Sequence, residues 1–233
     1  MYRSKLYRNR TSNVEPLKQY GLSEALQMLK KMPAVKFDET VEMAFKLGID
    51  PKQSDQNVRG AVTLPKGSGK KVTVAVVASG DLAEQAKAAG ADFVGMEDLI
   101  AKIKDGWLEF DSLIATPAAM PKVRPLGKML GPRGLMPNPK TGTVTDNVAN
   151  AVKEAKAGRV EFRADKGACA HIPIGKLSFA LEDLNTNCDA IIQAILSARP
   201  AGTKGTYIVS CTISSTMSPG IKVKASDFTR ARV

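Results

Sequence analysis

The sequence predicts a mixed α/β and α+β protein of two domains: a discontinuous α+β domain made from both chain ends, with an α/β domain inserted between its halves. Three observations point there. Segments near the two ends alternate apolar and polar side chains, as half-buried strands do. The middle opens instead on Val72-Thr73-Val74-Ala75-Val76-Val77, a nearly unbroken β-branched run of the kind buried on both faces of a parallel sheet. The chain has 233 residues, room for one large domain or two modest ones.

In chain order, Leu22, Ala25, Leu26 and Leu29 recur every three to four residues. They predict a helix from Leu22 to about Met32, capped by Ser23 and stopped by Pro33. From Phe37 to Leu47 the period shortens to two. Val41, Met43, Phe45 and Leu47 alternate with Thr40, Glu42, Ala44 and Lys46, predicting a half-buried strand. Asp50-Pro51 opens a turn, and Val58 to Leu64 reads as a second alternating strand. Pro65-Lys66-Gly67-Ser68-Gly69-Lys70 is a short flexible stretch.

After it come the Val72–Val77 strand, a helix over Asp81–Ala89 and a short strand over Asp92–Val94. A helix over Met96–Lys104, a short strand over Leu113–Ala115 and a helix over Asn147–Ala157 follow. This alternation predicts a small, mostly parallel sheet. Past Gly158, Val160 and Phe162, then Cys169, His171 and Ile174, predict two short strands around a turn at Asp165-Lys166-Gly167. Ser178 to Arg199 is a long amphipathic helix closed by Pro200. Tyr207, Val209, Cys211 and Ile213 alternate with Ile208, Ser210, Thr212 and Ser214, the strongest strand signal in the chain. The expected domains are 1–67 with 159–233, and 68–158.

Charge bears on partners. Lys plus Arg number 34 against 23 Asp plus Glu, a formal +11 with pI near 9.6, and a surface this basic steers polyanions. No apolar run reaches spanning length, and the basic start Met1–Arg10 lacks the apolar core of a secretory signal. No membrane association is therefore expected. Cys169, Cys188 and Cys211 form no C-x-x-C pair and read as buried apolar thiols in a reducing compartment. His171, the single histidine, reads as a structural residue of its strand, and no metal-ligand spacing occurs.

Gly67-Ser68-Gly69-Lys70 fails as a phosphate loop, because Leu64 and Lys71 stand where glycine and Ser or Thr are required. Ala78-Ser79-Gly80-Asp81 has one glycine where a dinucleotide fingerprint needs three. No catalytic residue, metal or cofactor is expected.

The densest unusual segment is Ile114–Lys140, with six prolines, three glycines and the basic residues Lys122, Arg124, Lys128, Arg133 and Lys140, but no acid. It reads as an ordered irregular loop, either simply solvated or a shaped cationic surface facing nucleic-acid phosphates. The outer faces near Phe37, Thr40 and Glu42 and along Ser210, Thr212 and Ser214 carry short polar groups that can bond 2′-hydroxyls and phosphates. Arg163 and Lys166 lie on a turn that could stand beside them.

The stretch from Gly127-Lys128-Met129-Leu130-Gly131-Pro132-Arg133-Gly134 to Thr143-Val144 closely resembles the signature of the ribosomal protein L-one family, large-subunit proteins of the mobile stalk. Ser54-Asp55-Gln56-Asn57-Val58-Arg59-Gly60, Val94-Gly95-Met96-Glu97-Asp98-Leu99 and Ile172-Pro173-Ile174-Gly175-Lys176 resemble further family blocks, in a bacterial-type order. The resemblance implies a split RNA-binding domain around an inserted Rossmann-like domain. It implies binding to 23S-type rRNA of the stalk within the large ribosomal subunit, help in releasing deacylated tRNA from the exit site, and repression of the protein's own operon mRNA. The free protein would be a monomer that joins ribosomes in a cytoplasm or an organelle stroma.

Carried over by position, the main RNA contact falls on Lys36, Phe37, Thr40 and Glu42, on Arg163 and Lys166, and on Ser210, Thr212, Ser214, Thr216, Met217, Ser218, Pro219 and Gly220. Ser218 stands where the family usually has glycine. The five basic residues of the Pro-rich loop would form a secondary contact with rRNA or passing tRNA. Two rival classes remain: a nucleotide-using enzyme, which lacks its glycine fingerprint, and a nonspecific DNA-binding protein, supported by charge alone.

Overall fold

The computed structural model describes residues 3–229, apart from the side chains at 54, 140, 227 and 229. Its elements are α1 (Lys5–Ser12), α2 (Leu22–Lys31), β1 (Thr40–Leu47), β2 (Arg59–Thr63), β3 (Val74–Val77), α3 (Asp81–Ala88), β4 (Phe93–Gly95), α4 (Glu97–Lys104) and β5 (Ser112–Ala115). They continue with α5 (Met120–Val123), α6 (Gly127–Leu130), α7 (Val148–Lys156), β6 (Arg159–Arg163), β7 (Cys169–Lys176), α8 (Leu181–Ser197), β8 (Ile208–Ser215), β9 (Ile221–Val223) and α9 (Ser226–Thr229). Among the described residues, one compact unit holds those up to Gly69 and from Val160 onward, and a second holds Lys70–Arg159.

The split unit is built on an antiparallel sheet in the order β7-β1-β8-β9. The period-two pattern of β1 sends Val41, Met43, Phe45 and Leu47 into the core, where α2 brings Ala25, Leu26 and Leu29 and α8 brings Leu184, Cys188, Ile191 and Ile195. Burial pushes the thiols of Cys188 and Cys211 up, Cys211 to about 12, so both pack as neutral apolar groups. Cys169 departs from the expected burial and is only half-buried. The outer edge of β9 is covered by Tyr20, whose N–H donates to Lys222 O at 3.0 Å and whose carbonyl accepts from Lys224 N at 3.0 Å.

Several local expectations are corrected. The two strands expected around the turn at Asp165-Lys166-Gly167 are present as β6 and β7, and because β6 pairs with β2 in a separate two-stranded sheet, that turn joins two sheets. Gly60 in β2 has no side chain because a Cβ there would lie 2.7 Å from the Phe162 ring. Residue 209 is an extra residue at a β-bulge, since Lys46 pairs with Ser210 but Leu47 with Ile208. Val209 is therefore 55% exposed instead of inward-facing. Gly21, not Ser23, precedes α2, and α8 starts at Leu181 because Ser178 is held outside it by Asp38. The stretch after Pro65 is not a loose linker. Asn187, fully buried on α8, accepts from Lys66 N at 3.1 Å and donates to Gly67 O at 3.1 Å and Ile174 O at 2.9 Å.

The inserted unit is a parallel sheet in the order β4-β3-β5, with every residue of β3 buried. α4, α5 and α6 pack on one face and α3 and α7 on the other. The first half of the Pro-rich segment forms the short helices α5 and α6 joined by a 3-10 turn, while residues 131–138 follow the irregular course expected. Pro121 and Pro125 sit in first turns, where a missing N–H breaks no bond.

One buried ion pair ties the split unit together. Arg10 of α1 and Glu39 are each 1% exposed. Arg10 Nη2 and Nη1 donate to the two Glu39 oxygens at 2.6 and 3.1 Å, and Arg10 Nε donates to Pro33 O at 3.1 Å. Glu39 also accepts from Ser215 Oγ at 2.7 Å and Met217 N at 2.9 Å, and its backbone carbonyl accepts from Leu177 N at 2.8 Å. Burial alone pushes the Glu39 pKa up, but bonds from Arg10, Ser215 and Met217 outweigh it and hold the carboxyl at about 2.

A folded value below the ordinary 4.5 means this stabilisation is complete above pH 4.5 and is lost as pH falls toward 2. Its size is about 3 kcal/mol. In thermal melts, the gap in Tm between wild type and Glu39→Gln is expected to be widest at neutral pH and to shrink across that window. A gap independent of pH would refute the assignment. Asn187→Ala leaves three backbone groups without this partner, the Ile174 carbonyl buried and the Lys66 N–H and Gly67 carbonyl partly so, and urea unfolding is expected to show a loss of about 2–4 kcal/mol.

Candidate nucleic-acid interface

With α2 and α8 on one face of the four-stranded sheet, alternation turns a polar set out of the other. The register sorts that set into rows. Glu42 stands opposite Pro173 and Ser214, Ala44 opposite His171 and Thr212, and Lys46 opposite Cys169 and Ser210, while Thr212 stands opposite Lys222. His171 is exposed, which corrects its structural reading: Ala170, Ile172 and Ile174 are the inward residues of β7.

The Thr40 end of the sheet carries the most constrained geometry. β1 starts at Thr40 rather than Phe37, because Glu39 is turned inward to Arg10; Lys36 and Phe37 lie in the exposed bend before it. Thr40 N donates to Thr216 Oγ1 at 3.2 Å, and that hydroxyl donates to Thr40 O at 3.4 Å. Lys176 Nζ donates to Thr40 Oγ1 at 2.9 Å. Ser218 Oγ accepts from Ser215 N at 2.8 Å and donates to Pro219 O at 2.9 Å. Ser218 does not occupy the left-handed region, so it meets no backbone strain there. Pro219 is buried and shapes the turn from within. Gly220 is needed for close approach, since a Cβ would lie 2.8 Å from Thr212 Cγ2. The result is a fixed turn presenting Thr216 and Met217, the latter 48% exposed, on the same unit as Phe37 at 53%.

Thus Lys36, Phe37, Thr40, Glu42, Ser214, Thr216, Met217, Ser218, Pro219 and Gly220 belong to one end of the sheet. Ser210, Arg163 and Lys166 do not join them. They belong to the end where Cys169 pairs with Lys46, six residues and about 20 Å along β1. That turn is closed by Asp165, whose Oδ1 accepts from Cys169 N and Gly167 N at 2.8 Å each. The Cys169 bond is the main cause of its carboxyl lying below the ordinary value. Lys46 Nζ donates to Gly167 O. Ala168 has φ 58°, a left-handed conformation unusual for alanine.

Sequence reasoning missed Lys46, Lys176, Lys222 and the outward His171. The first was readable, because it falls on the polar side of the β1 alternation. Electrostatically the face is cationic. Lys36, Lys46, Arg163, Lys166 and Lys222 are exposed and outnumber the exposed carboxylate of Glu42, whereas Glu39 is neutralised by Arg10, Asp38 is bonded to Ser178, and Asp165 is bonded to backbone N–H groups.

In the inserted unit, Arg124, Lys128 and Arg133 are exposed, while Lys122 is paired with Glu97 at 2.8 Å. The Lys140 side chain lies outside the described residues. The Asn138–Thr143 turn is locked by its own hydroxyls: Asn138 N donates to Thr143 Oγ1 at 2.8 Å, and Thr141 and Thr143 donate to Asn138 O at 3.2 Å. Among the described residues no group of three or more His, Cys, Asp or Glu could hold a metal ion, and no helix is long and apolar enough to cross a membrane.

An open, cationic sheet face with short hydroxyls suits RNA. Residues 29–219 match the Ribosomal protein L1p/L10e family, a stretch that takes in Glu39, both ends of the interface and the inserted unit but stops short of Lys222. By that match over most of its length, the chain belongs to this family of large-subunit ribosomal proteins, whose work is binding rRNA and not catalysis.

Proposed function

We propose that the split unit binds 23S-type rRNA of the mobile stalk with the Thr40–Met217 end of its sheet as the principal contact. One observation supports this above the rest. The turn at Thr216 and Met217 is fixed by four hydrogen bonds to Glu39, Thr40 and Ser215 (two of them on a buried carboxylate), yet its side chains face water. Such pre-ordering reduces the entropy lost on binding. The short groups Thr40, Ser214 and Thr216 admit a sugar-phosphate backbone closely, while Lys36, Lys166 and Arg163 supply salt-dependent affinity.

Recognition of this kind reads folded shape. Any RNA that reproduces the stalk fold competes for the surface, which is how the protein would repress the mRNA of its own operon. The exposed Arg124, Lys128 and Arg133 of the inserted unit offer a weaker polyanion surface for tRNA leaving the exit site. The free protein is a monomer that joins the large subunit in a cytoplasm or an organelle stroma.

Met217→Ala is expected to weaken binding to a stalk-rRNA hairpin about tenfold, a loss of about 1.4 kcal/mol, while shifting stability by less than about 0.5 kcal/mol because the side chain is exposed. Filter binding at fixed ionic strength, with an unrelated hairpin alongside, measures this. Unchanged affinity would take the turn out of the site.

A further inference from the structure

We infer that the outer edge of β4 in the inserted unit is a docking strip for a basic, extended segment of another protein, which joins the parallel sheet as a fourth strand. This goes beyond the RNA reading and does not depend on it. Three observations carry it: an open strand edge, an exposed aromatic pair beside that edge, and a local charge opposite to that of the chain. The edge comes first. Among the described residues β4 pairs with β3 on one side and with no strand on the other, whereas the far edge at β5 is covered where Ala115 bridges Val144. Asp92 N donates to Val74 O at 3.0 Å, which turns the backbone groups of Asp92 toward β3. By the alternation of a strand, the N–H and C=O of Phe93 point the other way, outward. Groups so placed accept an added strand.

The same residue supplies the apolar part of the strip. Phe93 is 39% exposed, although strands of a parallel sheet are ordinarily covered on both faces. Its ring meets the half-buried Trp107 edge to face, with centroids 4.7 Å apart, and Trp107 leans on the buried Phe110 at 5.5 Å. The pair is thus held in place by the core and open to solvent at Phe93. A rigid aromatic ledge beside a strand edge suits the apolar side chains of an added strand and the stems of its lysines and arginines, and the ring faces attract their cationic heads.

Charge selects the occupant. Residues 81–111, which hold β4, Trp107 and the helices α3 and α4, carry eight of the chain's 23 acidic side chains but three of its 34 basic ones, a net −5 within a chain of +11. Asp92 precedes β4, Glu97 and Asp98 follow it, and Asp105 and Glu109 flank Trp107. Asp92 is paired with Lys156 and Glu97 with Lys122. Asp98, Asp105 and Glu109 are exposed and enter no ion pair among the described residues. An RNA backbone is repelled here, and so is a second copy presenting the same edge. A segment rich in Lys and Arg is attracted, and only an extended one can use the outward N–H and C=O of Phe93.

The test uses the full chain and a synthetic peptide of about eight residues, an ordinary strand length, alternating Val with Lys or Arg. A control peptide carries Glu in place of every basic residue. The basic peptide is expected to bind and to slow hydrogen exchange of the Phe93 amide about tenfold or more, and the control to do neither. The double variant Asp105→Lys, Glu109→Lys, both at exposed positions, is expected to weaken binding about tenfold. Phe93→Ser is expected to weaken it as well; thermal melts report whether that variant folds, and the exchange measurement on wild type stands without it. Met217→Ala is expected to bind the peptide as wild type does, which separates this strip from the RNA contact. No binding by wild type, or equal binding by the double variant, would overturn the proposal. Binding that leaves exchange at Phe93 unchanged would overturn the added strand. Protection of Phe93 by the stalk-rRNA hairpin, or by raised protein concentration alone, would overturn a basic protein segment as the occupant in favour of RNA or a second copy.

Discussion

Glu39 stands where four remote parts of the split unit meet. Its side chain takes Arg10 from the first helix and the Ser215–Met217 turn from the last strands, and its carbonyl takes Leu177 from the end of β7. A carboxylate this buried is costly unless every lone pair is used. Strand pairing already brings the ends of β7 and β8 to β1, and the buried charge adds α1 to them and fixes the turn after Ser215. The same oxygen that Ser215 reaches also receives the N–H of Met217. A structural requirement of the interior thereby sets the orientation of the residues proposed to face RNA. The family match begins at residue 29, so Arg10 lies outside the matched stretch while Glu39 lies within it.

In the inserted unit, the turn from the first parallel strand into α3 is poorly suited to an anion. A phosphate at such a helix N-terminus would answer the helix dipole. In α3 that role is taken by Asp81 and Glu84 in the first turn, and Gly80 before it offers no side-chain cap. An anion arriving there would meet carboxylates. This agrees with the single glycine of the turn and with the family's lack of enzymatic activity.

Much of the architecture could be read from side-chain periodicity, because burial enforces it. The inward residues of β1 and the doubly buried β3 announce themselves, since a slip by one residue would expose every apolar group. The failures have physical causes. α1 has a serine cap at Ser4 but no apolar stripe, and its one buried residue is an arginine, so its reason for existing lies 29 positions away at Glu39. Val209 misled because a bulge adds one residue to a strict alternation. The first half of the Pro-rich segment suggested loop because proline disfavours helix interiors, yet short helices are mostly first turn. For the interface, residue types were readable and assembly was not. The family motif identified Thr40 and Thr216, but that they bond each other across 176 positions depends on strand register. Arg163 and Lys166, grouped with them by sequence, lie at the other end of the sheet for the same reason.

The pairing of β1 has a bearing on biosynthesis. Its two neighbours are β7 and β8, so Thr40 waits for Lys176, 136 residues later, and Val41 for Ser215. Residues 70–159, by contrast, form a contiguous unit available as soon as they are made. During translation at about 5–20 residues per second, the guest can complete itself while its host is still an open edge. The surface proposed to grip RNA is thus among the last parts of the polypeptide to take shape, and an unfinished chain on its ribosome carries the insert before that surface is complete.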